Sequence, residues 1–317
     1  MSLITKLNKV QLLPAEKTMV IVSTLAGAIA VMSFLWHGQN VDWAAYGSIM
    51  ALVAGMVGMG IFYRASGRSE RIGAATICAG LFIYFTICLS LFNYHLLPTW
   101  RTPIDPQLAR IDQFFGYYWP SIIEWAGQNP TINNILRIAY VSTMPQLALL
   151  VVILGLSGRI KELHVLILSI TITATFTICW WGFFPSFGAS SIYQLPAAME
   201  ALASPELGTA YGAYLVSLGA QGPQFITPSE IKGLIGFPSY HTVLAVTALY
   251  ASRTIKWIFP IYLVLNILIL PGVFVHGGHH MVDLIGGLVI AIGGLYIARN
   301  AVYKQYKKFN LPEVVAG

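Results

Sequence analysis

The chain has 317 residues, 56% of them hydrophobic and only 9% charged, with a mean hydropathy of +0.70. A soluble globular chain carries about 25% charged residues, so this composition excludes a water-soluble domain and points to an all-α protein that crosses a bilayer many times. The net charge of +6 would suit a nucleic-acid binder, but where the basic residues lie on the chain argues for another reading.

A helical span needs about 20 mostly apolar residues. In chain order, eight stretches meet or approach that length: 18–36, 44–63, 72–97, 135–156, 163–184, 240–251, 257–275 and 281–298. The sixth is the shortest. Residues 1–17 are mixed and polar and lack the pattern of a cleavable signal, while the first apolar run is long enough to span. Lys6, Lys9 and Lys17 precede the first stretch, and Arg64, Arg68 and Arg71 lie between the second and third. Arg159 and Lys161 follow the fourth, Arg253 and Lys256 the sixth, and Arg299, Lys304, Lys307 and Lys308 the eighth. All but four of the 18 basic residues therefore fall on one side of an eight-span arrangement. The positive-inside rule makes that side cytoplasmic and puts both termini there. The +6 is then a topology signal, aided by anionic lipid at the tail, and no nucleic-acid partner is expected. The expected division is two N-terminal spans over 1–71, a six-helix core over 72–300 and a basic cytoplasmic tail over 301–317.

Cys78, Cys88 and Cys179 fall inside spans without CxxC spacing and read as small apolar fillers. Two connections on the outer side are long. The first, 98–134, mixes Phe114, Phe115, Tyr117, Tyr118, Trp119 and Trp125 with a few charges, which predicts one or two short amphipathic helices in the interface. The second, 185–238, is rich in Gly, Pro, Ser and Ala and ends at GFPSYHT. Long connections of this kind serve as lids or binding loops.

Four of the seven histidines sit in two motifs, GFPSYHT (236–242) and HGGHHMVD (276–283). A helical hairpin separates them, so both lie on the outer side and can meet. Ser239 is the candidate N-cap of a helix. His241 then stands in the first turn, where free N–H groups and the positive end of the dipole suit a phosphate and where an imidazole can protonate a leaving oxygen. His279 and Asp283 are four apart and share a helix face; a carboxylate there fixes the imidazole tautomer and frees the other nitrogen to attack. His37, His95 and His164 read as interfacial or packing residues. His276, His279, His280 and Asp283 are all competent metal ligands. However, HxxHH on a helix does not turn three imidazoles to one point, and no HExxH pattern occurs, so neither a metal nor a cofactor is expected at this site.

FPSYHT resembles the PSxH motif of the type-2 phosphatidic acid phosphatase superfamily, and HHMVD followed by LIGG resembles its HxxxD motif. The likeness is greatest to the branch that includes inositol phosphorylceramide synthases and related bacterial membrane proteins. There, phrases like GLIGFPSYHT and GGHHMVDLIGG precede and open helices; RIDQFFGYYWP and NNILRIAYVSTMPQ are similar to that branch as well. The resemblance covers residues 100–300 and implies a core of spans three to eight. It implies His279 as the nucleophile that forms a phosphohistidine, Asp283 as its orienting partner and His241 as the general acid. Ser239 and neighbouring N–H groups would hold phosphate oxygens without a metal. The KxxxxxxRP motif of the lipid phosphatases is missing, and Val273 stands where they carry an arginine six residues before the nucleophile. The phosphate clamp must then come from Arg137, Lys232, His276 or His280, while Arg101 and Arg110 are expected to pair with Asp105 and Asp112. The function implied is a lipid phosphatase acting on a lipid phosphate or pyrophosphate. A phosphotransferase with an alcohol acceptor is the alternative, and a transporter with a His/Asp proton relay is a third reading. The substrate is expected in the bilayer, and the site on the periplasmic face of a bacterial inner membrane.

Overall fold

The computed structural model describes residues 12–196, 199 and 209–309. Lys6 and Lys9, the tail beyond 309 and part of the second outer connection lie outside the described residues. Among these residues there are twelve α-helices and no strand. The first three are α1 (Pro14–Trp36), α2 (Trp43–Ala65) and α3 (Glu70–Tyr94). Then come α4 (Asp105–Phe114), α5 (Trp119–Gln128), α6 (Pro130–Val141), α7 (Thr143–Leu156) and α8 (Ile160–Phe183). The chain ends with α9 (Thr209–Gln221), α10 (Tyr240–Ser252), α11 (Phe259–Gly277) and α12 (Met281–Phe309). The protein is an all-α, multi-pass membrane protein.

Local chemistry sets the breaks. Asp42 caps α2 by accepting from Ala45 N at 3.0 Å, and Ser69 caps α3 by accepting from Ile72 N at 3.2 Å, each satisfying one of the orphan donors of a first turn. Six helices (α1, α2, α3, α8, α11 and α12) are each long and apolar enough to cross a bilayer. The fourth expected span is a pair, α6 and α7, bent by 45°. Pro145 explains the break, because it has no N–H to bond the carbonyl of Val141. The polar groups at this bend are satisfied inside the bundle: Gln146 donates to Ser142 Oγ and accepts from Asn266, and the Tyr262 hydroxyl donates to the Gln146 carbonyl at 2.6 Å.

The sixth expected span differs from the others. It is α10, 13 residues long, which at 1.5 Å per residue reaches only about 20 Å, short of the roughly 30 Å of hydrocarbon. It survives as a short helix because it is enclosed by α7, α8, α11 and α12, and Val243, Leu244, Ala245 and Ala248 are buried on its sides. The last helix runs on through Lys304, Lys307 and Lys308 to Phe309, so those lysines ride on a helix rather than on a separate tail.

Helix α8 is the most enclosed of the six spans and α2 the least. One continuous core joins Met19 of α1, Ile77 and Leu81 of α3, Leu147 and Leu154 of α7, Leu163 and Leu166 of α8, and Ala298 and Val302 of α12. The interhelical contacts are close where side chains are small. A Cβ at Gly155 would lie 2.6 Å from Ala75 Cα, whereas one at Gly58 would meet nothing within 4 Å. Gly155→Ala is therefore expected to destabilise the bundle by about 1–3 kcal/mol, because the backbone of α3 must move. Gly58→Ala should be neutral or slightly stabilising, as an open helical site predicts. Thermal unfolding of the two variants in one detergent checks the contrast.

Candidate active site

The first motif folds as its residues dictate. Ser239 has an extended backbone, φ −62° and ψ 109°. Its hydroxyl accepts from Thr242 N at 3.4 Å and lies 3.2 Å from Thr242 Oγ1, so it is the N-cap of α10 and is fully buried. This places His241 in the first turn. The Tyr140 ring stacks on the His241 ring with centroids 4.2 Å apart and planes at 22°, and its hydroxyl lies 3.3 Å from His241 Nδ1. Tyr140 thus occupies one ring nitrogen of His241, Nδ1.

The second motif forms where α11 ends and α12 begins. Gly278 closes α11 with φ 60° and ψ 33°, a left-handed conformation that glycine adopts without strain. His279 Nδ1 lies 2.9 Å from Asp283 Oδ2, and both residues are buried. The carboxylate accepts a hydrogen bond from Nδ1–H, which leaves the lone pair on Nε2. The same Asp283 oxygen also accepts from His280 N at 2.9 Å, so the pair is held in one orientation. The Tyr117 hydroxyl donates to the His279 carbonyl at 2.9 Å.

The two motifs meet. Ser239 N donates to the Asp283 carbonyl at 2.9 Å. A Cβ added at Gly277 would stand 3.3 Å from the Tyr140 hydroxyl and 3.0 Å from His279 Nε2, so Tyr140, His241 and His279 surround one small space. His276 borders it: its ring centroid is 6.1 Å from that of Tyr140, and its Nε2 lies 3.1 Å from the Asn133 carbonyl.

The segment between α8 and α9 holds the motifs together. Gly236 N donates to the Ser186 carbonyl at 2.7 Å, and Ser190 N to the Gly278 carbonyl at 3.3 Å. Gly188 (φ 86°) passes so near Gly278 that a Cβ there would lie 2.6 Å from its carbonyl oxygen. Asp105 of α4 organises this segment, accepting from Ser186 Oγ at 2.7 Å, Phe187 N at 3.0 Å and Gly188 N at 2.9 Å.

The structure corrects the expectation for His280. Its ring is fully buried, with Nδ1 2.8 Å from Asp112 Oδ2 and Nε2 3.6 Å from Asp105 Oδ1. Neither nitrogen is offered to a phosphate. Asp112 also accepts from Met281 N and Val282 N, both at 3.3 Å, and so caps α12 from outside. Asp105 and Asp112 therefore serve the motifs and not Arg101 and Arg110; Arg101 lies over the Trp100 ring, 4.0 Å from its centroid, and Arg110 is exposed. The remaining expected clamp residues divide. Arg137 is exposed on α6, three residues before Tyr140. Lys232 is also exposed, and its backbone N–H bonds the Tyr94 hydroxyl at 2.7 Å, beside a cavity of about 310 Å³ lined by Tyr94, Gln221, Phe225 and Glu230 rather than beside the histidines.

Tyr140, Tyr117, Asp105 and Asp112 are the residues that sequence reasoning did not assign to the site. The signal for the aspartates was the seven-residue spacing in DPQLARID, two helical turns on one face. Of the expected pair of interfacial helices, α4 and α5 both exist, but α4 turns Asp105, Leu108, Ala109 and Asp112 inward.

A family model described as the PAP2 superfamily matches residues 106–297, from α4 through most of α12. The chain belongs to the PAP2 superfamily. No curated protein and no solved structure matches the chain. Membership supports an enzyme of the phosphatase or phosphotransferase type, and the match encloses both histidine motifs as well as Asp112 and Tyr140.

In this PAP2 chain His280 is the titrating group behind the site. Burial would by itself depress its pKa, but the bonds to Asp105 and Asp112 outweigh burial and raise it to about 9. A histidine raised above its unfolded value adds stability in full below about pH 6.5, and that stability is lost as pH rises through about 9. The thermal midpoint of the wild type should therefore fall on the alkaline side through pH 9. Asp112→Asn should lower stability by about 3–5 kcal/mol, because it removes one of the two buried carboxylates that face His280, and should shrink that alkaline loss. A midpoint independent of pH between 7 and 10 in the wild type would contradict the assignment.

Proposed function

We propose that this PAP2 protein is an integral-membrane lipid phosphatase that removes phosphate from a lipid phosphate or pyrophosphate through a phosphohistidine. The observation that carries the reading is the buried His279–Asp283 pair at 2.9 Å, set against the Ser239-capped start of α10 with His241 in its first turn. Burial and the neighbouring His279 lower the His241 pKa to about 3, so His241 takes up its proton only beside the phosphate charge; His279 Nε2 then attacks phosphorus as the bond to the leaving oxygen breaks, and His241 gives that oxygen the proton. The Asp283 carboxylate holds the imidazole through Nδ1 and stabilises the positive charge that develops on it. His241, now neutral, takes a proton from water as the water oxygen attacks phosphorus. The N–P bond breaks, its electron pair returns to His279, and phosphate leaves. Developing negative charge is met by the first-turn N–H groups of α10, by the Arg137 guanidinium and by His276, without a metal in the step.

Water suffices as acceptor, which favours the hydrolase. A phosphotransferase is the second reading, favoured by the GLIGFPSYHT and GGHHMVDLIGG phrases and by the missing KxxxxxxRP motif; the same residues would then pass the phospho-headgroup to an alcohol. In both readings the site opens at headgroup level on the side opposite the basic helix ends, the periplasmic face if the membrane is a bacterial inner membrane. The N-terminal helices α1 and α2 precede the catalytic unit and support it.

Purified protein assayed against a panel of lipid phosphates, with and without alcohol acceptors, tests the reading. Free phosphate should appear without an acceptor. His279→Ala should abolish release by at least about 10⁴-fold, and His241→Ala should lower kcat by about 10²–10⁴-fold. Headgroup loss that needs an acceptor and yields no free phosphate would assign the transferase instead. No His279-dependent turnover on any lipid would sink both.

A further inference from the structure

At the opposite, basic end of the bundle a second buried cluster joins α1, α2, α3, α8 and α12. Glu16 of α1 is fully buried. The Arg64 guanidinium donates to both its oxygens, each at 2.8 Å, and Leu13 N donates to Oε2 at 2.7 Å. That leaves Oε1 facing His164 Nε2 at 3.4 Å and Cys78 Sγ at 4.0 Å. Both side chains are buried, at 1% and 0% exposure. Among the described residues His164 Nε2 has no hydrogen-bond partner in spite of that burial. Its other nitrogen, Nδ1, lies 3.0 Å from the Tyr306 hydroxyl.

A buried imidazole nitrogen 3.4 Å from a carboxylate oxygen and grouped with a thiol, without a hydrogen bond among the described residues, is an arrangement that suits a cation between the three. We infer that Glu16 Oε1, Cys78 Sγ and His164 Nε2 form a binding site for a borderline-soft divalent metal ion, of which Zn²⁺ is the type. The three ligand atoms lie within 4.8 Å of one another. Metal bonds of about 2.0–2.3 Å in a tetrahedron set ligand atoms roughly 3.3–3.8 Å apart, so the cluster needs to close by only about an ångström at its widest. One oxygen, one nitrogen and one sulfur suit zinc, and exclude magnesium or calcium, which take oxygen ligands. Water takes the fourth position.

The surroundings match what a metal site requires of its second layer of contacts. With the ion bound, the Tyr306 hydroxyl would accept from His164 Nδ1–H and hold the Nε2 lone pair toward the metal. Arg64 hydrogen-bonds the ligating carboxylate and is itself 2.8 Å from Glu70. Binding releases one proton, as the Cys78 thiol becomes a thiolate. The ion and Arg64 then bring three positive charges, matched by Glu16, Glu70 and the thiolate, so the loaded cluster is neutral inside the apolar bundle. The ion would clamp α1 to α3 and α8 at the end of the bundle remote from His279, and has no part in the phosphoryl chemistry.

Full-length protein in detergent, loaded with Zn²⁺ or Co²⁺ and passed through a desalting column, tests this without any activity assay. The wild type should retain about one ion per chain, and the Co²⁺ form should show a thiolate-to-metal charge-transfer band in the near ultraviolet. Cys78→Ser and His164→Gln should lose both, while Cys88→Ser should keep both. Tyr306→Phe, which keeps every ligand and the aromatic packing, should still bind but about 10–100-fold more weakly. Wild-type protein that retains less than about a tenth of an ion per chain, or a Cys78→Ser variant that keeps the band, would overturn the assignment.

Discussion

The outer half of this protein depends on two carboxylates that one short helix drives into the interior. Asp105 and Asp112 stand two turns apart on α4, both almost completely buried. A buried carboxylate is tolerated only when its oxygens are filled with donors, and each here has three. Asp105 takes Ser186 Oγ and two backbone N–H groups of the 186–188 segment. Asp112 takes the His280 ring and the first two N–H groups of α12. The first set fixes the segment on which both motifs lean; the second fixes the start of the helix that carries Asp283. The 98–134 connection is thus a buttress for the site as much as a surface over it. Its apolar edge, with Phe114, Phe115, Tyr118 and Trp125 exposed, remains available to the interface.

This bracing explains how the two histidine motifs keep a fixed geometry at the end of a helical bundle. A nucleophilic imidazole needs its ring held within a narrow range of angle, and loops alone hold poorly. Here His279 is fixed by Asp283 through Nδ1 and by Tyr117 through its carbonyl. His241 is held by the N-terminal turn of α10 and by the stacked Tyr140 ring. The first turn of α10, which carries His241, borders the same space, while the first two N–H groups of α12 are taken by Asp112.

Much of this was legible in the sequence, and the limits have physical causes. The Ser239 cap, the first-turn position of His241 and the shared face of His279 and Asp283 follow from spacing along single helices, which the chain encodes locally. The all-α, multi-pass class follows from composition. The role of His280 was not legible, because it depends on Asp112, 168 residues away, and adjacent histidines look alike until the partner is placed. Tyr140 was hidden for the same reason: nothing within α6 says that it will stack on a residue of α10. The helix over 240–251 was placed to within a residue, but it was counted as a span because an apolar run reads as one whether lipid or protein surrounds it. The cysteines illustrate the same ambiguity: Cys88 beside Gly27 is the small filler that composition suggests, while Cys78 ends beside a carboxylate from another helix.

The buried charges also explain why the N-terminal helices belong to the same body as the matched region. The family match begins at residue 106, which leaves α1, α2 and α3 outside it. Yet α3 packs along α7 and α8, and Met19 of α1 is buried among the residues of α3, α7 and α8. Removing α1 would expose the enclosed flank of α8 and would strip Arg64 of the fully buried one of its two carboxylate partners. A guanidinium left half-buried without that partner is costly to keep in an apolar bundle. The polar chemistry is therefore divided between two ends. The end that carries the two histidine motifs uses its buried charge to hold His279 and His280, and the basic end uses it to join α1 and α2 to the rest of the bundle, with the apolar length of α8 between them.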